Sequence, residues 1–230
     1  MTTAAVLGST GGVGSQILAT LLASPNITSV KTISRRIPKS DSPKLEALEE
    51  TDISKWAGLV DTLTPRPSVF YNAVGTTRAA AGGVAEQWKI DHDSVIDSAR
   101  AAKKAGVNTF VFISSGGTRG FLFKYTPYAK MKVGVDDAVR ELGFEQAIIL
   151  RPGMIIGRET SKAPLLEKFF EALGMVSKGL QDTIAADQLI IGRAAVHAAR
   201  LAGDGKAPSR YWVVEQPDII RLGRDEWKEE

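Results

Sequence analysis

The chain has 230 residues, 43% of them hydrophobic and 24% charged, with a net charge of +3. This length suits one large α/β domain and leaves little for a second, the composition argues against disorder, and 29 basic residues nearly offset by 26 scattered acidic ones give no nucleic-acid footprint. With no cysteine, and with His92 and His197 far apart, disulfides, cysteine nucleophiles and thiolate sites are excluded and no metal is expected.

The opening MTTAAVLGSTGG runs straight into an apolar strand. Neither a signal peptide nor an Arg-rich transit helix is expected there, and no apolar run approaches the roughly 20 residues of a membrane span. The expected compartment is the cytosol.

Strand-like apolar runs then alternate with helix-period segments, the pattern of a parallel sheet covered on both faces. Residues 4–7 read as the first strand, 13–23 as the first helix and 30–34 as the second strand. The third strand falls near 45–51, where charge weakens the signal. SVFYNA at 68–73 and TFVFIS at 109–114 are strands rich in β-branched and aromatic residues. Between them 84–104 reads as one long helix ending at Gly106. A helix over 128–142, a strand over 147–150, a helix over 187–201 capped by Asp187 and a closing strand over 211–214 complete the pattern. The expected fold is a Rossmann-type doubly wound parallel sheet in a single domain spanning 1–230, with 152–183 as a small C-terminal, substrate-side cap.

Gly8, Gly11 and Gly14 stand where the first strand turns into the first helix, with Thr10, Gly12 and Val13 in the same turn. The first glycine permits the tight turn, the second admits a pyrophosphate, and the third lets the helix pack close; the helix start favours the anion. The bland alternative is a glycine-rich turn of any α/β fold. The required order of strand, turn and helix favours the dinucleotide. At the end of the second strand an acid normally meets the ribose 2′-hydroxyl. Here Ser34, Arg35 and Arg36 offer two guanidinium groups suited to a 2′-phosphate, so NADP(H) is the expected cofactor, against the alternative of a solvated basic turn. Asp52, past the third strand, is positioned to accept from the adenine amino group.

Ser115 follows the fifth strand, and Tyr128 and Lys132 come four apart on the following helix, sharing a face. A phenol is a weak acid–base at neutral pH unless a neighbouring cation favours the phenolate. Lys132 also has the reach to hold a nicotinamide ribose, while a serine hydroxyl orients the substrate oxygen. A Tyr and Lys at this spacing is by itself a common surface pair; the serine loop and the glycine cradle favour catalysis.

Together GSTGGVG, NAVGTT at 72–77, the Ser115/Tyr128/Lys132 set and LRPGMIIG at 150–157 resemble an atypical short-chain dehydrogenase/reductase. More narrowly, SRR at 34–36, SKW at 54–56, GTTRAAAGG at 75–83 and the RPG segment are similar to fungal proteins named for being found in the mitochondrial proteome, relatives of the mammalian Tat-interacting oxidoreductase-like proteins. The resemblance implies that Gly8, Thr10, Gly11 and Val13 line the pyrophosphate, that Ser34, Arg35 and Arg36 meet the 2′-phosphate, and that Ala73, Val74 and Gly75 border adenine and ribose. It also implies that Arg151, Pro152 and Gly153 pass beside the nicotinamide. A helix asparagine common in related enzymes is replaced, with Asp91 or His92 nearby; His92 is read as a surface residue or a proton relay, and His197 as structural.

The expected activity is hydride transfer between NADPH and a carbonyl or alcohol of a small molecule. The alternatives are an isomerase, epimerase or dehydratase on the same scaffold, as in fungal secondary metabolism, and a non-catalytic NADPH-sensing protein. Expected partners are the small-molecule substrate and a second copy in a homodimer. The resemblance also raises peripheral attachment to the mitochondrial outer membrane, without an integral segment.

Overall fold

The computed structural model describes residues 2–157 and 178–229. Strands β1 (Thr2–Leu7), β2 (Ile27–Ser34), β3 (Leu45–Glu49), β4 (Val69–Asn72), β5 (Thr109–Ile113) and β6 (Gln146–Arg151) come first. A small parallel pair, β7 (Met154–Ile156) and β8 (Ala185–Asp187), precedes β9 (Tyr211–Glu215). The main sheet is parallel throughout, in the order β3-β2-β1-β4-β5-β6-β9. This is the expected doubly wound architecture. The chain winds outward from β1 to β3, then returns to the other side of β1, so a crevice opens at the carboxyl ends of β1 and β4.

Alternation along the strands sorts the core into two layers. On β5, Val111 and Ile113 join a cluster with α1 (Gly12–Ala23), α8 (Gln188–Gly203) and α9 (Gln216–Ile220). Phe110 and Phe112 face the opposite layer, built on α2 (Trp56–Val60), α5 (Ser94–Lys104) and α6 (Pro127–Leu142). There Phe70, Phe110 and Phe144 stack at 5.7 and 5.0 Å, each burial removing about 1.5–3 kcal/mol worth of side chain from water. Helix α1 is seated firmly because Gly192 of α8 meets its backbone: a β-carbon there would lie 3.0 Å from the Gln16 carbonyl carbon and 3.0 Å from the Ile17 nitrogen.

Several expected elements shift. The charged run at 45–51 does form β3, over 45–49, as an edge strand whose open face tolerates glutamates. Its Glu46 is held below the usual carboxylate range by hydrogen bonds from Lys31 and Ser29 on the neighbouring strand. The single helix expected over 84–104 is instead α4 (Val84–Trp88), a π-helical turn at Lys89–Asp93 and α5, preceded by the short α3 (Arg78–Ala81). Helix α6 begins at Pro127, with Thr126 accepting from the Ala129 N–H at 3.2 Å, and Asp187 caps α8 as expected, accepting from Leu189 N–H at 2.7 Å. Of the expected cap, 158–177 lie outside the described residues; β7, α7 (Lys178–Ile184) and β8 flank them. No helix among the described residues is long and apolar enough to cross a membrane.

Candidate active site

At the carboxyl end of β1, Gly8 has φ 78°, and a β-carbon on it would stand 2.7 Å from the Ala73 carbonyl carbon at the end of β4. Gly11 donates its N–H to the Gly8 carbonyl at 2.9 Å and forms the N-cap of α1. A β-carbon on Gly14 would lie only 2.0 Å from the Gly8 oxygen. The turn thus folds to a radius that only glycine permits. Helix α1 starts with neither a side-chain cap nor an acid in its first turn, so its leading N–H groups face the crevice with the positive end of the helix. Thr10, Gly11 and Gly12 are exposed there, whereas Val13 turns into the core and fixes the helix. This cradle fits a pyrophosphate.

The Ser34 hydroxyl donates to the Arg36 carbonyl at 2.7 Å, which closes the turn after β2 and leaves both arginine side chains exposed. The neighbouring acids are engaged elsewhere: Asp52 Oδ1 accepts from Ser54 N–H at 3.0 Å and Ser54 hydroxyl at 2.7 Å, holding that carboxyl low, and Glu50 faces Lys55 at 3.8 Å. Arg35 and Asp52 border the same cleft of about 440 Å³, whose apolar wall includes Ile53, Ala57 and Ile90.

The π-helical turn, which the sequence reading replaced with a continuous helix, sets Asp91 inward. Fully buried, its carboxylate accepts from Thr76 N–H at 2.7 Å and from the Gln87 amide at 3.2 Å. It thereby ties down the loop carrying Ala73, Val74 and Gly75, a task that no periodicity announced. His92 points instead to α6: its ring lies 4.7 Å from that of Trp88 in a tilted contact, pairs with Asp93, and fills the space that a β-carbon on Gly134 would need. His197 is buried with Nδ1 2.9 Å from the Leu222 carbonyl, as a structural histidine.

Lys132 is buried, its ammonium 3.5 Å from the Ile113 carbonyl and 4.9 Å from the Phe112 ring centre. Gly75 lies between it and Asp91: a β-carbon there would be 4.0 Å from the Lys132 Nζ and 4.0 Å from Asp91 Oδ1. One turn earlier on α6, Tyr128 is partly open to solvent. Ser115 follows β5, and its loop is fastened to the next strand by a 2.7 Å hydrogen bond from Gly116 N–H to the Pro152 carbonyl.

Arg151 is held by ion pairs that the sequence did not announce. Its guanidinium binds Asp136 at 2.8 and 3.1 Å and Glu215 at 3.1 Å. The Arg151 side chain is thereby turned to Asp136 and Glu215. Burial raises the Asp136 carboxyl above its usual range despite the Arg151 guanidinium bonded to it. Burial also disfavours the Arg151 cation, but Asp136 and Glu215 more than offset it. Gln216, which the sequence reading passed over, is the clamp of this corner: its oxygen accepts from Gly153 N–H at 2.9 Å, and its amide donates to the carbonyls of Asp182 and Ala185 at 2.8 Å each.

Comparison with solved structures agrees with this topology. The chain aligns with the Bordetella bronchiseptica enzyme WbmH in complex with NAD+ at TM-score 0.69 and 18% identity, covering 94% of this chain and 75% of that one. It aligns with MoeE5 in complex with UDP-glucuronic acid and NAD at 0.69 and 16%, covering 94% and 76%. Among curated proteins it is 67% identical over 229 residues to "Protein fmp52-2, mitochondrial" of Aspergillus oryzae, covering 100% of both chains. It is 52% identical to "Protein fmp-52, mitochondrial" of Neurospora crassa, covering 99% of this chain and 98% of that one. These names correct the cytosolic expectation: a strand-forming first segment does not identify a compartment, and the relatives point to the mitochondrion. The expected kinship with the fungal mitochondrial-proteome proteins is shown by the same identities. A family model covers residues 4–181, and the chain belongs to the NAD-dependent epimerase/dehydratase family.

Proposed function

We propose that this protein is an NADPH-dependent oxidoreductase acting on a carbonyl or alcohol of a small organic molecule. The observation that carries the reading is Lys132: a buried cation at the carboxyl edge of the sheet, beside the Ala73–Gly75 loop and one helical turn from Tyr128. A buried ammonium is costly unless it is paired; here the Ile113 carbonyl and the Phe112 ring face it, and no carboxylate among the described residues forms an ion pair with it, so a site that keeps such a cation has a use for it.

Gly8, Gly11, Gly12 and Gly14, with Thr10 and Val13, would hold the pyrophosphate; Ser34, Arg35 and Arg36 would hold the 2′-phosphate. Asp52 and Ala73–Gly75 would border the adenosine half, and Pro152 and Gly153 the nicotinamide half. When bound, the nicotinamide supplies or takes up the hydride. Tyr128 transfers the proton at the substrate oxygen, Ser115 orients that oxygen by a hydrogen bond, and Lys132 would bind a ribose hydroxyl. Asp91 acts through the loop it holds.

The test is a panel of ketones and aldehydes scanned for NADPH oxidation. Turnover of one class supports the reading, and no turnover across the panel by folded, NADPH-binding protein refutes it. The family match favours one second reading, an epimerase or dehydratase that regains its cofactor each cycle. Conversion of substrate without net NADPH oxidation would single it out.

A further inference from the structure

The loop that joins Ser115 to Tyr128 carries four large apolar side chains in five consecutive residues. Phe121 and Leu122 are each 80% exposed, Phe123 64% and Tyr125 68%. The other strongly exposed apolar residues, such as Ile37 and Leu48, stand singly, which is ordinary for a protein surface.

The loop holds its own shape. Gly120 N–H donates to the Gly117 carbonyl at 3.0 Å, Phe123 and Lys124 N–H to the Gly120 carbonyl at 3.1 and 3.0 Å, and Thr126 N–H to the Phe123 carbonyl at 2.9 Å. Its backbone is satisfied by successive turns, while its large side chains stay open to solvent. The Lys124 ammonium stands 5.3 Å from the Phe121 ring centre and 4.9 Å from that of Tyr125.

Charge along the loop is one-sided: residues 115–130 include no acid but hold Arg119, Lys124 and Lys130. Arg119 pairs with Asp137; Lys124 and Lys130 are exposed and meet no acid among the described residues. An exposed run of Phe, Leu and Tyr with Lys124 inside it and Lys130 at the start of the next helix suits a headgroup layer, where rings and leucine enter the acyl boundary and ammonium groups stay among phosphates. A protein partner would need a matching pocket and acids.

We propose that residues 120–125 dock this protein on an anionic phospholipid bilayer, with Phe121, Leu122 and Phe123 entering the interface and Lys124 and Lys130 contacting headgroups. Because the loop leads directly into Tyr128, docking turns the mouth of the site toward the membrane. This consequence rests on the proposed function, and it suits substrates that partition into lipid. The docking itself does not depend on that function.

The experiment is flotation of the full chain with phosphatidylcholine vesicles, with and without phosphatidylglycerol. The unaltered protein is expected to float with the anionic vesicles and to lose that binding as salt rises. The double variant Phe121→Ser/Phe123→Ser should bind about tenfold or more weakly, and Lys124→Glu should lose mainly the preference for anionic lipid. Unchanged melting temperature and NADPH affinity show that the variants are folded. Since the chain has no cysteine, Leu122→Cys gives a unique site for an environment-sensitive dye, whose emission should shift to the blue on anionic vesicles. Failure of the unaltered protein to float, equal flotation of the double variant, or an unmoved dye spectrum would overturn the proposal. So would carbonyl turnover lost by the double variant in vesicle-free solution with lipid binding intact, which would make the loop a substrate wall. Flotation needs no cofactor, so failure of docking and failure of the redox reading are told apart.

Discussion

The Gly8 carbonyl oxygen lies 2.0 Å from where a β-carbon on Gly14 would stand. The first strand and the first helix therefore meet with no room for a methyl group, and the crevice beside them depends on that approach. Gly14→Ala must push α1 away from β1. Overpacking of this kind costs about 1–3 kcal/mol, which in a chain of this size lowers Tm by roughly 2–10 °C. Thermal unfolding and an NADPH titration check it: Tm should fall and affinity should drop along with it.

Arg151→Met should leave Asp136, fully buried, without its cation. Breaking a buried pair in this way costs about 3–5 kcal/mol. Burial already raises the Asp136 carboxyl in the intact protein, and removing the cation raises it further. The folded variant then binds a proton more tightly than the unfolded chain, so its stability falls as pH rises from about 4 through the folded-state pKa. Denaturant unfolding should show a deficit that is largest near neutrality and shrinks toward pH about 4.

Asp91→Ala should free the loop at Ala73–Gly75. The half-buried Thr76 N–H loses its acceptor, a loss of about 1 kcal/mol. Asp91→Asn retains an acceptor and should lose less. NADPH affinity measured on folded protein should follow the same order. Equal affinity in both variants and the unaltered chain would show that the loop needs no such tether.

The sheet was readable because it repeats a simple physical pattern. SVFYNA and TFVFIS are buried strands whose alternate residues feed both layers, and the glycine turn is legible because no other residue fits it. The edge strand β3 gave a weak signal, since half of it faces solvent and accepts charge. The π-helical turn left no trace in periodicity: one extra residue in a helix changes which side chains face inward without changing composition, so the tether made by Asp91 was missed. Arg151 was legible as part of a motif but not as an ion pair, because its partners, Asp136 and Glu215, come from distant segments. Gln216 was passed over for the same reason.

Tyr128→Phe removes one oxygen and keeps the ring, so folding and NADPH affinity should persist while carbonyl turnover falls by about 10²–10⁴. Lys132→Met should impair turnover and cofactor affinity together, because that side chain would bind the ribose. Steady-state kinetics and cofactor titration on both variants check the contrast. Full turnover by Tyr128→Phe would remove this residue from the chemistry.

The most direct test of the central claim is calorimetric titration of the unaltered protein with NADPH and with NADH, repeated on the Arg35→Ala/Arg36→Ala variant. Hydrogen bonds between charged groups contribute about 1.5–3 kcal/mol, so NADPH should bind about tenfold to a hundredfold more tightly than NADH. The double variant should lose that preference and leave NADH affinity unchanged. Equal affinity of the unaltered protein for the two cofactors, or tighter binding of NADH, would contradict the account.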